Sequence, residues 1–286
     1  METPSFFCCP VCGEALAAGE KTYACPGGHC FDRAKQGYVN LLCSQQSSQK
    51  RHGDDKLMAR ARQAFLDKGF YRPLLSVILD AVRNFLPRPG ADGLRLLDAG
   101  CGEGWYTAAV REGLRMSGLP AVIAGIDISR ETLQAAARRF NVLPPASRPE
   151  LAVASVNAMP VASGGCAAVL NFFTPCNAGE FARVLRPDGV LIRAVPLAKH
   201  LHSLKAAIYD APRDNAVDNN PPPGFQTAFS RDLHGEITLE TPEDIANLFM
   251  MTPYYYKTSR ADQAKAAALT RLTTETAFGV RVYIKG

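Results

Sequence analysis

Apolar residues along this chain recur with two alternating periods. From Lys56 to Phe85, Met58, Ala61, Phe65, Tyr71, Leu74, Leu75, Ile78, Leu79, Val82 and Phe85 fall at helical spacing and predict two helices broken near Gly69. Short, nearly continuous apolar runs follow, each long enough for a buried strand. They begin at Leu96 and continue as Ala121–Ile128, Leu151–Ser155, Ala167–Phe172 and Val190–Val195, with a last strand near Thr276–Ile284. Between them the period returns to that of a helix over Glu131–Phe140, Gly179–Leu185 and Glu243–Met250. Pro187-Asp188-Gly189 reads as a turn into the fifth strand, with Gly189 and Gly279 as breakers, and Pro221-Pro222-Pro223-Gly224 as a loop inside an insertion spanning 199–235. Strand and helix in alternation predict an α/β fold with a doubly wound, mostly parallel sheet. No internal repeat is present.

The first strand carries the candidate chemistry. Leu96-Leu97-Asp98-Ala99-Gly100-Cys101-Gly102-Glu103-Gly104 is a strand, a glycine-rich turn and the start of a helix, whose glycines let backbone pass close to a ligand. The second strand ends in Asp127, 29 positions beyond Asp98, placed to accept from both hydroxyls of a ribose. A dinucleotide site would seat a pyrophosphate on Gly-x-Gly-x-x-Gly, and the acidic Glu103 inside this turn would repel it. The pattern instead resembles the first two motifs of class I S-adenosylmethionine-dependent methyltransferases. Their cofactor has a sulfonium, an amino acid end and no phosphate. Asn157, after the third strand, sits where the adenine edge is usually read.

Composition narrows the setting. At 286 residues and 47% hydrophobic the chain can hold one large domain and a small one. No run approaches the roughly 18 continuous apolar residues of a membrane helix, and no basic-then-apolar leader opens the chain, so a cytosolic protein is expected. Of the net charge of +5, residues 1–90 hold +4, compatible with a polyanionic partner.

Five of the nine cysteines lie between residues 8 and 30. Cys9-Pro10-Val11-Cys12-Gly13 and Cys25-Pro26-Gly27-Gly28-His29 read as two knuckles twelve residues apart. In a reducing compartment such spacing means zinc before disulfide. Cys9, Cys12, Cys25 and His29 are the expected ligands, and four ligands close a structural rather than a catalytic site. The expected organisation is a zinc-binding, RNA-binding domain at 1–42, a linker at 43–57 and a methyltransferase domain at 58–286.

The two knuckles, Gly37-Tyr38-Val39-Asn40-Leu41-Leu42, the segment from Ala61 to Leu74, the glycine turn and Thr174-Pro175-Cys176 occur together in one order. In this the chain resembles the 23S rRNA (guanine-N1)-methyltransferases of the RlmA type over nearly its whole length. The resemblance implies a class I methyltransferase, Rossmann-like with a seven-stranded sheet, plus a small N-terminal zinc-binding domain. It implies S-adenosylmethionine and zinc as cofactors, N1 of one guanine in a 23S rRNA hairpin as target, and a homodimer. Some members of that family confer macrolide resistance. The family's cofactor contacts fall on Tyr71, Gly102, Glu103 and His200, and its zinc ligands on the four residues named above. Cys30 and Ser203 depart from the family pattern.

Guanine N1 carries a proton at neutral pH, so a base or a stabiliser of O6 is needed. His200 is the candidate base. Asn171 and Phe173, after the fourth strand, are the candidate contacts to the target, with Phe172 and Phe173 placed to sandwich a flipped guanine. Tyr254-Tyr255-Tyr256-Lys257, read as extended chain, offers further stacking or phosphate contact. Arg33, Lys35, Lys50, Arg51, Arg60 and Arg62 are candidate phosphate contacts. Two other functions fit the same residues: a small-molecule methyltransferase with a structural zinc module, and a non-catalytic RNA-binding protein that keeps the cofactor as a structural ligand.

Overall fold

A computed structural model describes residues 3–42, 53–90, 93–218 and 220–286. Most of the expected linker, with Lys50 and Arg51, lies outside these residues. The N-terminal unit is a four-stranded antiparallel ribbon in the order β1 (Thr3–Cys8), β2 (Ala15–Ala18), β3 (Thr22–Ala24), β4 (Cys30–Asp32). Its small core is Phe6, Phe7, Leu16 and Tyr23, all buried.

The chain then builds one large sheet from β5 (Val39–Asn40), β6 (Leu94–Ala99), β7 (Ala121–Asp127), β8 (Glu150–Val153), β9 (Cys166–Phe172), β10 (Leu185–Pro196), β11 (Phe225–Leu239) and β12 (Leu272–Lys285). The strand order is β11-β12-β10-β9-β6-β7-β8-β5. The pairs from β10 to β5 are parallel, and β12 and β11 close one edge antiparallel. Every residue of β9 is buried, which is why the central strands read as unbroken apolar runs.

Helices cover both faces: α1 (Lys56–Asp67), α2 (Arg72–Phe85), α3 (Trp105–Met116), α4 (Arg130–Phe140), α5 (Ala178–Val184), α6 (His202–Ile208), α7 (Pro242–Met250) and α8 (Arg260–Ala267). Asp55 caps α1 by accepting from the N–H groups of Leu57 and Met58, and Ser129 caps α4 by accepting from Thr132. Gly69, at φ 84°, makes the break between α1 and α2 that its position predicts.

The structure corrects the sequence reading in four places. The sheet has eight strands rather than seven, because β5 pairs with β8 and carries residues 39–40 out of the ribbon domain. The presumed insertion contains the longest strand, β11, whose side chains are mostly exposed and which therefore lacks an apolar period. Pro187-Asp188-Gly189 is a bulge inside β10, where the register against β9 shifts between Leu185 and Val190. The tyrosine run is a 3₁₀ turn, Tyr255–Lys257, not extended chain.

Ribbon and sheet are joined through Glu150 at the start of β8. Its carboxylate accepts from Ser5 Oγ at 2.6 Å and from the Phe6 N–H at 2.8 Å, while the Arg95 guanidinium lies 4.2 Å over the Phe6 ring. Replacing Glu150 by Ala leaves the Phe6 N–H without its acceptor. It is expected to cost about 1–3 kcal/mol, read as a lower thermal midpoint and faster proteolytic release of the ribbon.

Candidate functional site

The cleft lies where β6 and β7 end. Gly100, at φ 93°, begins the turn, and a Cβ there would stand 2.1 Å from Thr174 Oγ1, so no larger residue fits. The N–H groups of Gly100 and Cys101 both donate to the Ile126 carbonyl, at 2.8 and 3.0 Å, tying the turn to β7. The Gly102 N–H donates to Asp127 Oδ2 at 3.0 Å and the Ser129 N–H to Asp127 Oδ1 at 2.8 Å. Asp127 is thus fixed at the mouth of the cleft, with lone pairs left for further donors.

Asp98 stands behind it, 1% exposed. Its Oδ2 accepts from Thr107 Oγ1 at 2.6 Å, but its buried Oδ1 has no partner among the described residues. Burial pushes this carboxyl up to about 7, with the nearby Asp127 and Glu103 adding to the rise. Burial likewise raises Glu103 and Asp127. The cation facing this group is Arg62 from α1, ion-paired to Asp54 and close in charge to Glu103 and Asp127. The expectation that Arg62 contacts phosphate is therefore corrected: it points into the cleft. Its spacing from Met58 and Phe65, on the buried face of α1, is the sequence signal for that.

Asp54, Arg62, Gly100, Cys101, Gly102, Glu103 and Asp127 line a cleft of about 530 Å³, along with Tyr71, Tyr106, Phe173, Thr174 and His200, and Asp98 lies behind this lining. Three carboxylates and one guanidinium favour a ligand carrying positive charge. The buried Asp98 Oδ1, just behind the lining, and the buried Tyr106 hydroxyl are left without hydrogen-bond partners among the described residues. An S-adenosylmethionine molecule fits this chemistry through its ammonium, sulfonium and ribose hydroxyls.

His200 is buried, and the loss of solvent pushes it down to about 3, with Lys205 adding to the fall. It is neutral. Its Nδ1 accepts from the Ala277 N–H at 3.3 Å, which assigns the proton to Nε2, 3.3 Å from the Tyr71 hydroxyl. The one lone pair of the ring is occupied, so the geometry makes His200 a donor and corrects its reading as the base for N1. Ser203, the departure noted in the sequence, donates from its N–H and its Oγ to the carboxylate of Glu275, each at 2.8 Å. That pair holds the turn behind His200.

The other expected site residues divide. Phe173 lines the cleft rim at φ 59°, 41% exposed, with its ring 5.7 Å edge-on to Phe278. A left-handed phenylalanine is strained and is held by its N–H donating to the Ala194 carbonyl at 3.0 Å. Phe172 is buried in the core but also borders the cleft, with its ring 5.4 Å from that of Tyr106. Asn171 is fully buried and does not line the cleft. It donates to the carbonyls of Ala99 and Pro175 and accepts from Arg193 Nε at 2.9 Å, which leaves it a positioning role. Asn157 is exposed, accepts from Asn177 Nδ2 at 3.1 Å and lies outside the cleft lining, a correction to its placement at the adenine edge. Of the tyrosine run only Tyr254 lines the cleft. Sequence reasoning missed Tyr106 and Asp54.

In the ribbon, one ligand atom from each of Cys9, Cys12, Cys25 and His29 falls within 4.8 Å of the others. Cys12 Sγ is 3.6 Å from Cys25 Sγ, which is 3.4 Å from His29 Nδ1. Tetrahedral zinc with Zn–S bonds near 2.3 Å puts sulfurs about 3.8 Å apart, so the four residues fit that ion. Gly27 lies against three of these ligand atoms, where a larger residue would crowd them. Cys30 is exposed and stands outside the group.

Comparison with known proteins agrees with this geometry. The family described as "RlmA, N-terminal" matches residues 7–50, and the one described as "Methyltransferase domain" matches 96–189. A protein of Micromonospora griseorubida, provisionally named a 23S rRNA (guanine-N1)-methyltransferase, is 34% identical over 94% of this chain and 93% of its own. The 23S rRNA (guanine(748)-N(1))-methyltransferase of Streptomyces fradiae is 36% identical over 70% of this chain and 66% of its own. Among solved structures, a geranyl diphosphate C-methyltransferase from Streptomyces coelicolor A3(2) is 14% identical, with a TM-score of 0.46 over 79% of this chain and 85% of that one.

Because the ribbon has few core residues, its fold depends on the metal. Cys12→Ser is expected to lower bound zinc well below one ion per chain and to separate a low-temperature ribbon transition in calorimetry. Full zinc content with unchanged melting would sink the ligand assignment.

Proposed function

The chain belongs to the 23S rRNA (guanine-N1)-methyltransferase family of the RlmA type, and on that premise we propose that it methylates N1 of one guanine in 23S rRNA. The observation that carries the reading is the carboxylate-lined cleft with the unpartnered Asp98 oxygen just behind it, built for a cationic cofactor. S-adenosylmethionine, when bound, supplies an electrophilic methyl group. Asp127 would accept from its ribose hydroxyls, Asp98 Oδ1 from its ammonium, and the glycine turn with Glu103 would border its amino acid end. Tyr71 and His200 act as neutral donors that orient ligand groups in the cleft.

Displacement at a sulfonium needs alignment above all; as the N1–methyl bond forms and the methyl–sulfur bond breaks, the N1 proton leaves to a base or to water, and the sulfur of S-adenosylhomocysteine is left neutral. Phe173, strained and exposed at the rim, offers a ring for the target base, and Asn171 holds the loop that presents it. The target as a hairpin, a homodimeric assembly and a cytoplasmic setting belong to the same proposal. The last is supported by the eight described cysteines, which are all free thiols. Among the described residues no helix is long and apolar enough to cross a membrane.

The direct test incubates the protein with labelled S-adenosylmethionine and 23S rRNA that lacks the modification. A reverse-transcription stop at one guanine, absent with Asp98→Ala, is expected. Bound cofactor without incorporation would turn the reading toward a small-molecule substrate.

A second expectation follows from Asp98. The empty site titrates near 7 and an ammonium binds its ionised form, so protons compete with cofactor. Affinity for S-adenosylhomocysteine should fall about tenfold per pH unit below about 7 and level off above it. Asp98→Asn should bind weakly and flatten this dependence. A wild-type affinity that calorimetry finds constant between about pH 5.5 and 8.5 would remove Asp98 from the ammonium.

A further inference from the structure

At the opposite end of the sheet a groove of about 570 Å³ runs between the ribbon and the methyltransferase domain. Strand β7 connects the two places, beginning in the groove at Ala121 and ending in the cleft at Asp127. At about 3.3 Å per residue that is roughly 20 Å. Four arginines line the groove: Arg33 from the ribbon, Arg111 and Arg115 from α3, and Arg148 from the segment before β8.

What distinguishes this cluster is how the guanidinium groups are held. Several other buried or half-buried arginines face acids, as in Arg62 with Asp54, Arg183 with Glu180 and Arg281 with Asp232, although Arg95 is also held by carbonyls, those of Gly165 and Phe6. In the groove, Arg111 Nε donates to the Ser147 carbonyl at 2.9 Å. Arg148 donates from Nε to the Leu143 carbonyl at 2.9 Å and from Nη2 to the Asn141 carbonyl at 3.0 Å. Carbonyls fix the guanidinium planes without cancelling their charge. Among the described residues neither Arg33 nor Arg148 has a carboxylate within ion-pair distance. Glu112 lies 2.6 Å from Arg115 and only 3.9 Å from Arg111, so Arg115 takes most of its charge. Glu150, held by Ser5 Oγ and the Phe6 N–H, keeps its negative charge at the groove, so four guanidinium groups face two carboxylates, Glu112 and Glu150. The groove keeps a fixed positive charge with free guanidinium edges.

We propose that this groove anchors the sugar-phosphate backbone of an RNA stem while a base of the same molecule reaches the cleft. The proposal rests on the rRNA reading above. Planar guanidinium groups match phosphate oxygens two at a time. The two places lie at opposite ends of β7, roughly 20 Å apart through the protein, so a ligand that engages both must pass around the domain, a span that a folded RNA covers and a small substrate does not. The ribbon contributes Arg33, which makes the zinc module part of the RNA-binding surface.

The test is fluorescence anisotropy of the full-length, zinc-loaded protein with a fluorescein-labelled hairpin RNA, titrated between about 50 and 200 mM salt. Arg33→Gln, Arg111→Gln and Arg148→Gln are combined in one variant, since glutamine keeps a donor for the carbonyls and removes the charge. Its slope of log Kd against log salt should be shallower than wild type by about 2, near 0.7–0.9 for each phosphate no longer neutralised. Affinity for S-adenosylhomocysteine and zinc content should stay unchanged. Should the triple variant fold poorly, Arg33→Gln alone reads the same surface, with a slope change of about 1. Wild-type slope and affinity in the folded variants would overturn the anchor and leave the groove to an acidic protein segment. Wild-type protein that binds cofactor but no RNA at any salt would overturn the rRNA reading and the anchor together.

Discussion

Three carboxylates around one glycine turn, Asp98 and Glu103 buried and Asp127 half-buried, set the terms for the rest of this molecule. Asp98, Glu103 and Asp127 repel one another in a site shielded from water, where a charge is costly unless it is matched. Raising their pKa values is one response and supplying cations is the other. The fold does both. Arg62 enters from a helix that α7 holds in place through the Lys68–Asp244 ion pair, and Arg139 from α4 donates to the Glu103 carbonyl at 3.1 Å. Neither cation reaches the free oxygen of Asp98. The unmet part of the balance is what a cationic ligand completes, so the same repulsion that costs the empty protein stability becomes affinity when the ligand binds.

This arrangement bears on how the target base is handled. His200 is often the sort of residue assigned to proton transfer, yet its surroundings are apolar rings and a backbone N–H. Tyr71, Phe278 and the ring of His200 form one packed group at the floor of the cleft. Such a wall excludes water and fixes donors. It does not take up charge. That wall serves alignment and leaves removal of the N1 proton to another group, and the strained Phe173 at the rim is consistent with a surface held ready rather than formed on contact.

Much of this was legible in the residues alone. The central strands are buried on both faces and so announce themselves as apolar runs, and the glycine turn has few other uses when acids flank it on both strands. The zinc ligands were readable because spacing alone brings knuckle residues together. What escaped was held by long-range contact. β11 has no apolar face of its own and exists because it pairs with β12 along nearly its full length. Asn157 follows β8 and Asn171 lies near the end of β9, and one turns to solvent while the other is buried in the sheet. Arg62 looked like any cation in a basic segment, and only its helical phase against Met58 and Phe65 marks it as inward.

The ribbon is more than an appendage on a linker. Through β5, its chain pairs with β8 in parallel and covers what would otherwise be an open edge of the sheet, with Val39 buried and the Leu41 N–H donating to the Val153 carbonyl at 3.0 Å. Asp54, fourteen residues beyond Asn40, accepts at its carbonyl from Ser129 Oγ and at its carboxylate from Arg62, at the mouth of the cofactor cleft. Free energy released by metal binding in the ribbon is thereby available to hold β8, and with it the segment that borders Asp127.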